Sequence, residues 1–269
     1  MDTEHIVKEW RGEFSKHPMF GENMSRQAID DLWESGSAAY SDSSYSEIRD
    51  RIIEAVLSKG YLGKGDSLLD IGSGPGTFAV PFSGHCRSVL CVDSSAGMLR
   101  RIEEKGIANI SVMKADCMTL DSGCRRDVAF CSLCPPMNTP EGIDLMCRLG
   151  EKCIYVSSAN REKGLESEIW EALGEDYSYK GYDTDYPYRY LLSKGIDAKV
   201  EYFTQENETT ETVAECLKRF ASLVSRYRSV DEGCSAVIKR VVRGHSEDGI
   251  VRQRLSLRMG MLTWSTCTE

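Results

Sequence analysis

The chain has 269 residues, with 33 basic and 42 acidic side chains and a formal net charge of −9. Its length suits one large domain or a domain with a substantial insertion, and its composition is that of a globular protein. The acidic balance disfavours nonspecific binding to nucleic acid or anionic membranes, because phosphate contacts require a basic surface. No apolar window is long enough to span a bilayer, and the polar N-terminus lacks the features of a signal peptide. We therefore expect a cytoplasmic protein with no membrane segment and no nucleic-acid partner.

The 11 cysteines are an odd number, so they cannot all pair within the chain. Several lie inside apolar runs, where cysteine behaves as a small hydrophobic residue. These features indicate a reducing compartment and mostly free thiols. The four histidines show no ligand spacing, and the Cys131-x-x-Cys134 motif has no second copy, so we expect no metal site.

Residues 1–64 are predicted to form an N-terminal helical cap. Ile48, Ile52 and Val56 follow helical spacing, and Gly60 ends that helix. From residue 67 to about 158, short apolar runs alternate with helical segments, which is typical of βαβ units with a parallel sheet covered on both faces. The predicted strands are Ser67–Ile71, Ser88–Val92, Asn109–Met113, Asp127–Leu133 and Lys152–Ser157. The predicted helices fall near 76–83, 95–105, 139–148 and 161–173.

The composition changes after residue 173. Residues 174–195 are rich in tyrosine and predict a lid, with a surface loop as the alternative. Residues 197–204 are predicted to form a strand, and helices near 209–228 and 230–241 form a helical insertion over 205–245. Period-two alternation near the C-terminus predicts a last strand, with Arg258–Trp264 as its candidate core.

The most informative motif is the run Asp70-Ile-Gly72-Ser73-Gly74-Pro-Gly76, which follows an apolar strand and precedes a helical segment. Glycines at such a turn let the backbone approach a ligand closely. A P-loop is excluded because no lysine follows. A dinucleotide fingerprint fits in part, because Thr77 stands where the third glycine belongs. The third interpretation is the D-x-G-x-G-x-G loop of S-adenosylmethionine-binding proteins, which matches at every position.

Acidic residues also follow the next two predicted strands. Asp93 ends the second strand, where a carboxylate can accept hydrogen bonds from ribose hydroxyls. Asp116 follows the third strand, where it could accept from an adenine amino group. Each acid alone is typical of an ordinary loop or helix cap, but three at one edge of the sheet favour a nucleoside site.

This set of motifs resembles the class I S-adenosylmethionine-dependent methyltransferases over residues 65–158. The resemblance implies an α/β fold with a doubly wound, mainly parallel seven-stranded sheet whose last strand is antiparallel. N-terminal helices would precede it, with a helical insertion or lid before the last strand. Residues 65–269 would form the Rossmann-like domain. The implied cofactor is S-adenosylmethionine, with S-adenosylhomocysteine as product.

The resemblance also implies roles for single residues. Gly72, Gly74 and Gly76 would line the cofactor's aminoacyl and ribose portion, and Asp70 would hold the loop or the amino group. Asp93 would bind ribose. The other implied cofactor-binding residues, in the glycine turn and along the adenosine, are Ser73, Ser94, Met98, Asp116, Cys117 and Cys134.

The end of the fourth strand departs from a common family pattern. It reads Cys134-Pro135-Pro136-Met137, whereas methyltransferases of base or amide nitrogens often have Asn/Asp-Pro-Pro-Tyr/Phe there. The missing Asn/Asp counts against N-methylation of bases or glutamine. Cys131 and Cys134 are interpreted as packing or pocket-lining residues. A soft-ligand site, with a thiol or metalloid acceptor, and redox chemistry are the alternatives.

The predicted substrate pocket contains aromatic residues from two segments together with one proline. The N-terminal segment supplies Tyr40 and Tyr45, the fourth strand end supplies Pro135, and the tyrosine-rich lid supplies Tyr186 and Tyr188. No catalytic acid or base can be identified, and direct methyl displacement needs mainly proximity and exclusion of water.

The sequence therefore predicts a methyltransferase that acts on a small-molecule acceptor by direct SN2 transfer. One alternative is a methyltransferase for a protein or corrinoid-protein partner, which would bind through the helical insertion. A partner-binding subunit that keeps the cofactor site, and a nicotinamide enzyme, are further hypotheses.

Overall fold

The computed structural model describes residues 2–15, 25–41, 45–159, 164–175, 183–225 and 228–266. Short 3₁₀ turns occur among the regular elements. The strands are β1 (Ser67–Ile71), β2 (Ser88–Asp93), β3 (Ile110–Lys114), β4 (Arg126–Ser132), β5 (Gly150–Ser158), β6 (Lys199–Thr212), β7 (Ser246–Glu247) and β8 (Ile250–Ser265). The helices are α1 (Thr3–Phe14), α2 (Arg26–Gly36), α3 (Ser46–Ser58), α4 (Ala79–Ser83), α5 (Ala96–Glu103), α6 (Pro140–Leu149), α7 (Leu165–Ala172), α8 (Asp185–Ser193), α9 (Val213–Ser225) and α10 (Glu232–Gly244).

The strands of the described chain form one sheet in the order β3-β2-β1-β4-β5-β8-β6, and β7 pairs with β8. Strands β1 to β5 run parallel, whereas β8 is antiparallel to β5 and β6. The predicted doubly wound α/β fold with an antiparallel last strand is confirmed. The eighth strand is the two-residue β7, which was not predicted.

The central strands are apolar because the sheet is covered on both faces. All five residues of β1 are buried, and alternate residues feed two different cores. Leu69 packs with α1, α6 and α8 on one face, and Leu68 packs with α3, α4 and α5 on the other. The strand that precedes the glycine-rich segment is therefore anchored in a core on each face of the sheet.

Strands β6 and β8 continue beyond the rest of the sheet. Ser158, the last residue of β5, pairs with Met259, so residues 250–258 of β8 extend past β5 and pair only with β6 and β7. Helices α7, α9 and α10 cover one face of this arm and form a third core with Val251. The predicted helical insertion begins with a strand: residues 205–212 belong to β6, and their side chains alternate between a more buried and a more exposed face. The helices begin at Val213.

The tyrosine-rich segment divides into two parts. Residues 176–182 lie outside the described residues, and with them Tyr177, Tyr179 and Tyr182. The remainder forms α8, which packs against α1 and α6. Tyr186 stacks on Trp10 with ring centroids 6.1 Å apart, so this part of the predicted lid is an element of the core.

Candidate functional site

A cleft of about 190 Å³ opens at the carboxyl ends of β1, β2, β3 and β4. In open α/β sheets, ligands bind at this edge, next to the point where the strand order reverses. Here β1 lies between β2 and β4, so the reversal occurs beside β1. The lining residues come from α2 and the segment after it, the glycine turn, the four strand ends and the first turn of α5: Ile29, Asp30, Trp33, Tyr40, Gly72, Gly74, Asp93, Ser94, Met98, Ala115, Cys117, Ser132, Leu133, Cys134, Pro135 and Pro136.

The glycine turn after β1 needs its glycines for two different reasons. Gly72, Gly74 and Gly76 all have positive φ, at 69°, 52° and 84°. A Cβ atom at Gly72 would lie 2.7 Å from the sulfur of Cys134, and one at Gly76 would lie 2.9 Å from Val80. At Gly74 no protein atom lies within 4 Å of that position. The open side of Gly74 therefore faces the cleft, which is the approach that a bound ligand requires.

Asp93 joins the glycine turn to the second strand. Its carboxylate accepts hydrogen bonds from the backbone N–H of Gly74 at 2.8 Å and of Ser95 at 2.9 Å. Burial raises the pKa of Asp93, although these N–H groups act in the opposite direction. The side chain lines the cleft and retains lone pairs for further donors, such as a ribose diol.

Asp70 lies beneath the turn instead of in the cleft. It is almost completely buried, and burial together with the charge of Asp93 raises its pKa to about 7. The nearby backbone N–H of Ala79 offsets only part of this shift. The carboxyl group therefore lies behind the glycine turn and does not face a ligand.

Helix α2 closes one side of the cleft and is held there by its carboxylates. Asp30 accepts a hydrogen bond from the Ser94 hydroxyl at 2.9 Å. Glu34 accepts from the Ser95 hydroxyl at 2.7 Å and from the Gly97 N–H at 3.1 Å, at the first turn of α5. A Cβ atom at Gly97 would lie 2.3 Å from the Ser37 oxygen, so the two segments are in close contact.

The end of β4 forms the floor of the cleft. Leu133 has a positive φ of 49°, a conformation that is strained for a branched side chain. Cys134 follows, and its sulfur lies 4.0 Å from the sulfur of Cys117, which follows β3. A 3₁₀ turn of Pro135–Met137 then leads to Asn138, whose buried amide bridges Trp10 and Tyr155.

The structure places most of the predicted site residues in the cleft lining. The lining contains Gly72, Gly74, Asp93, Ser94, Met98, Cys117, Cys134, Tyr40 and Pro135. Tyr45 does not line the cleft, but its hydroxyl lies 2.7 Å from that of Tyr40. Of the remaining members of the cofactor set, Ser73 and Asp70 are buried behind the cleft, and Gly76 packs on Val80 and Ile102.

Three predicted residues have other contacts. Asp116 accepts a hydrogen bond from the Met118 N–H and so caps the turn after β3, outside the cleft lining. Tyr186 donates to Glu9 at 3.3 Å, and Tyr188 packs at the edge of the core formed with α1. Neither tyrosine lines the cleft, because the apolar side of α8 is buried against α1 and α6.

The sequence indicates that the N-terminal segment contributes aromatic residues to the pocket, but it does not identify Ile29 and Asp30 of α2 as lining residues. Three residues of α2 line the cleft: Ile29, Asp30 and Trp33. Leu133, at the end of β4, also lines it. The amphipathic spacing of Ile29 and Trp33 predicts a helix with one buried side, but it does not reveal which strand ends that side will cover.

The charges of the cleft are of one sign. Among the lining residues, Asp30 and Asp93 are charged, and no lysine, arginine or histidine is present. A cationic or neutral ligand with hydroxyl donors fits this cleft, whereas a pyrophosphate would meet two carboxylates and a Gly74 N–H already bonded to Asp93. The described residues include no group of three or more His, Cys, Asp or Glu side chains that could hold a metal ion.

The comparisons with known proteins agree with this fold and cleft. Residues 68–149 match a family model described as a methyltransferase domain. An uncharacterized protein of Haemophilus influenzae is 29% identical over 153 residues, which are 53% of this chain and 55% of that relative. The match thus spans about half the length of the curated relative.

Two solved structures show the same fold at low sequence identity. Magnesium protoporphyrin IX methyltransferase of Synechocystis, solved with bound SAH, aligns with a TM-score of 0.55 and 13% identity, over 90% of this chain and all of that one. A Bacillus halodurans protein described as a possible methyltransferase aligns with a TM-score of 0.54 and 14% identity, over 80% of this chain and 99% of that one.

Together, the strand order, the glycine turn and the cleft define a Rossmann-like domain. Residues 68–149 are similar to the methyltransferase domain family, whose model they match. No helix among the described residues is long and apolar enough to cross a membrane.

Proposed function

We propose that this protein is an S-adenosylmethionine-dependent methyltransferase that acts on a small-molecule acceptor by direct transfer. The observation that carries the proposal is the pairing of Gly74 with Asp93: an open glycine faces the cleft beside a partly buried carboxylate. The glycine leaves room for the aminoacyl and ribose portion, and Asp93 accepts the ribose hydroxyls.

The remaining cleft residues fit the rest of the cofactor. Met98 and Ala115 give apolar contact for adenine, and Ser94 lies beside Asp93. The two cleft carboxylates favour a ligand with a positive sulfonium. Asp70 and Ser73 support the turn from behind, and Asp116 is proposed to act on adenine only through the turn that it caps.

When bound, the cofactor supplies an electrophilic methyl group on a sulfonium, and the protein has to align an acceptor with it. Pro135 and Pro136 fix the backbone of the cleft floor, because proline restricts φ. Trp33, Tyr40 and Leu133 line the cleft with apolar surface, which favours a neutral acceptor and excludes water. No side chain is assigned as a general base, and a thiol, enol or similarly reactive acceptor needs none.

The closed side formed by α2 favours a small acceptor over a macromolecule. The alternative is a protein or corrinoid-protein acceptor that binds at α7, α9 and α10. These helices have their own core and none of their residues lines the cleft, so their exposed sides are open to a partner.

The experiment that distinguishes a small-molecule acceptor from a protein acceptor is methyl transfer from tritium-labelled S-adenosylmethionine into a cell extract, which is then fractionated by size. The fraction that passes a small-pore filter is then separated from unreacted S-adenosylmethionine by chromatography. We expect a labelled small product there, with none when the Gly74→Val variant is used. Label only in retained polypeptide would reject the small-molecule proposal and favour the partner.

A further inference from the structure

We propose that Cys117 and Cys134 form a dithiol site in the cleft wall that binds one thiophilic ligand, a soft metal cation or a trivalent metalloid, across both sulfurs. The two residues come from different strand ends, after β3 and after β4, and both line the cleft. Their sulfur atoms are 4.0 Å apart. The sequence favours packing or pocket lining for Cys131 and Cys134 and leaves a soft-ligand pair as the alternative, but Cys131 is completely buried and does not line the cleft.

The separation of the sulfurs suits a single bridging atom. With metal–sulfur bonds of about 2.3 Å, two sulfurs 4.0 Å apart meet one central atom at an angle of about 120°, so rotation of the side chains by a few tenths of an ångström gives the narrower angle of a tetrahedral or pyramidal centre. A disulfide requires a separation near 2.05 Å, so the pair in this structure is reduced. Soft thiolate ligands select thiophilic ions over magnesium or calcium.

The surroundings hold both thiols in place. The sulfur of Cys134 lies 2.7 Å from the Cβ position of Gly72, so the glycine turn limits its movement on one side. Pro135 fixes the backbone on its C-terminal side. Cys117 begins a 3₁₀ turn that Asp116 caps through the Met118 N–H. A preorganised pair loses little conformational entropy when a ligand bridges it.

The binding of an organic arsenical illustrates the chemistry and provides the probe. Phenylarsine oxide forms two As–S bonds, one to each thiol. The two S–H protons leave with the arsenic-bound oxygen as one water molecule, and arsenic remains trivalent. The reaction is a ligand exchange, so it needs neither an oxidant nor a reductant.

Occupation of this site would close the cleft to its cofactor. Both cysteines line the cleft in which a nucleoside would lie, so a bridging ligand and a nucleoside compete for space. This consequence rests on the proposed function, whereas binding of the ligand itself does not.

The test is titration of the reduced protein with phenylarsine oxide, followed by intact-mass analysis and a count of remaining thiols. We expect one adduct, formed with loss of one water and two thiols, that a dithiol reverses and a monothiol does not. Cys117→Ser and Cys134→Ser should each bind on the order of 100-fold more weakly, because the second bond of a chelate forms intramolecularly.

Cys147→Ser is the matched control. Cys147 is half-buried like Cys134, but Trp264 donates to its sulfur at 3.3 Å, outside the cleft. This variant should bind the arsenical as the wild type does. Equal binding by Cys117→Ser, or loss in Cys147→Ser alone, would overturn the proposal. If Cys134→Ser does not fold by circular dichroism, Cys117→Ala and Cys117→Ser decide the result.

Two further arms separate the possible ligands and the two proposals. Cadmium ions, used as a soft-cation probe, should compete with the arsenical for the same two thiols. Binding of the arsenical without binding of cadmium would restrict the site to metalloids. If neither probe binds, the dithiol site is rejected. Saturation with S-adenosylhomocysteine should slow adduct formation. An unchanged rate despite measured S-adenosylhomocysteine binding would contradict the position of the pair in the cofactor cleft. Absence of S-adenosylhomocysteine binding would reject the proposed function and leave the adduct result intact.

Discussion

At the scale of single residues, the glycine turn and the two aspartates beside it have separable tasks. Gly74 leaves space on the cleft side, and Gly72 and Gly76 leave space for protein atoms behind it. Asp93 faces the cleft, whereas Asp70 lies behind the turn. The motif alone does not distinguish these tasks, because all of its glycines share positive φ and only their neighbours in space differ.

The Gly74→Ala variant should bind the cofactor more weakly while remaining folded. Its φ of 52° costs about 1–2 kcal/mol for an L-residue. The added methyl group meets no protein atom and projects into the ligand's space, which should weaken S-adenosylhomocysteine binding by about 1–3 kcal/mol. Gly60→Ala is the control, because Gly60 also has a positive φ, at 71°, and open space, but lies outside the cleft lining. Thermal melts should show similar stabilities for the two variants. Titration calorimetry should show weaker S-adenosylhomocysteine binding for Gly74→Ala alone. Equal affinities would remove Gly74 from the site.

Asp70→Asn should stabilise the protein at alkaline pH. The pKa of Asp70 is about 7 in the fold, against an ordinary value of 3.8, so the folded state binds more protons between these values and stability falls as pH rises through them. Removing the charge should therefore raise the free energy of unfolding by up to about 4 kcal/mol at pH 8, and by much less at pH 4.5. Urea denaturation at the two pH values measures this difference. A gain that is the same at both pH values would show that Asp70 is not the responsible group.

At the scale of elements, the central βα units follow from the sequence, whereas the contacts that hold α2 over the cleft do not. Apolar runs such as Ser67–Ile71 are buried on both faces and have one stable arrangement, and β1 has these same bounds. Helix α2 is held by Asp30 and Glu34 on Ser94 and Ser95, which are contacts between residues about 60 positions apart. Local periodicity carries no information about such pairs. The same reason explains why Tyr186 was assigned to a lid: its contact with Trp10 joins residues far apart in the sequence, and local periodicity does not reveal such a contact.

Gly97→Ala should displace the cap formed by α2. Its Cβ would meet the Ser37 oxygen at 2.3 Å and the Ser37 Cβ at 2.9 Å, so the segment after α2 has to move. We expect S-adenosylhomocysteine to bind about tenfold more weakly, with faster dissociation measured by stopped-flow fluorescence of Trp33 in the cleft. The double variant Gly97→Ala/Ser37→Gly should recover most of the affinity, because it removes the clashing side chain. If the double variant binds no better than Gly97→Ala, steric displacement of the cap is not the cause.

At the scale of the whole molecule, the described chain has two regions that strands β6 and β8 connect. The sheet and its covering helices contain the cleft, and the arm carries the third core. The parallel sheet could be predicted from its alternating segments, but the arm could not. The residues 205–212 are polar on their exposed face, and such a strand resembles a loop until its partner strand is known.

Phe220→Ala should test this separation. Phe220 is buried in the third core with α7 and α10, so its truncation should cost about 3–5 kcal/mol of stability. Because no residue of that core lines the cleft, S-adenosylhomocysteine affinity should stay within twofold of the wild type at 15 °C, about 0.4 kcal/mol. Differential scanning calorimetry and titration calorimetry on the same preparation measure both quantities. A parallel loss of affinity would show that the arm supports the cleft.

The measurement that tests the account most directly is isothermal titration of the reduced protein with S-adenosylhomocysteine, with NADH as the competing ligand class and Asp93→Ala as the matched variant. We expect micromolar binding of S-adenosylhomocysteine at one site and none of NADH. Asp93→Ala should bind about 1–3 kcal/mol more weakly, because a charge-assisted hydrogen bond to ribose is lost. Binding of NADH without S-adenosylhomocysteine, or an Asp93→Ala variant with unchanged affinity, would contradict the assignment of the cleft.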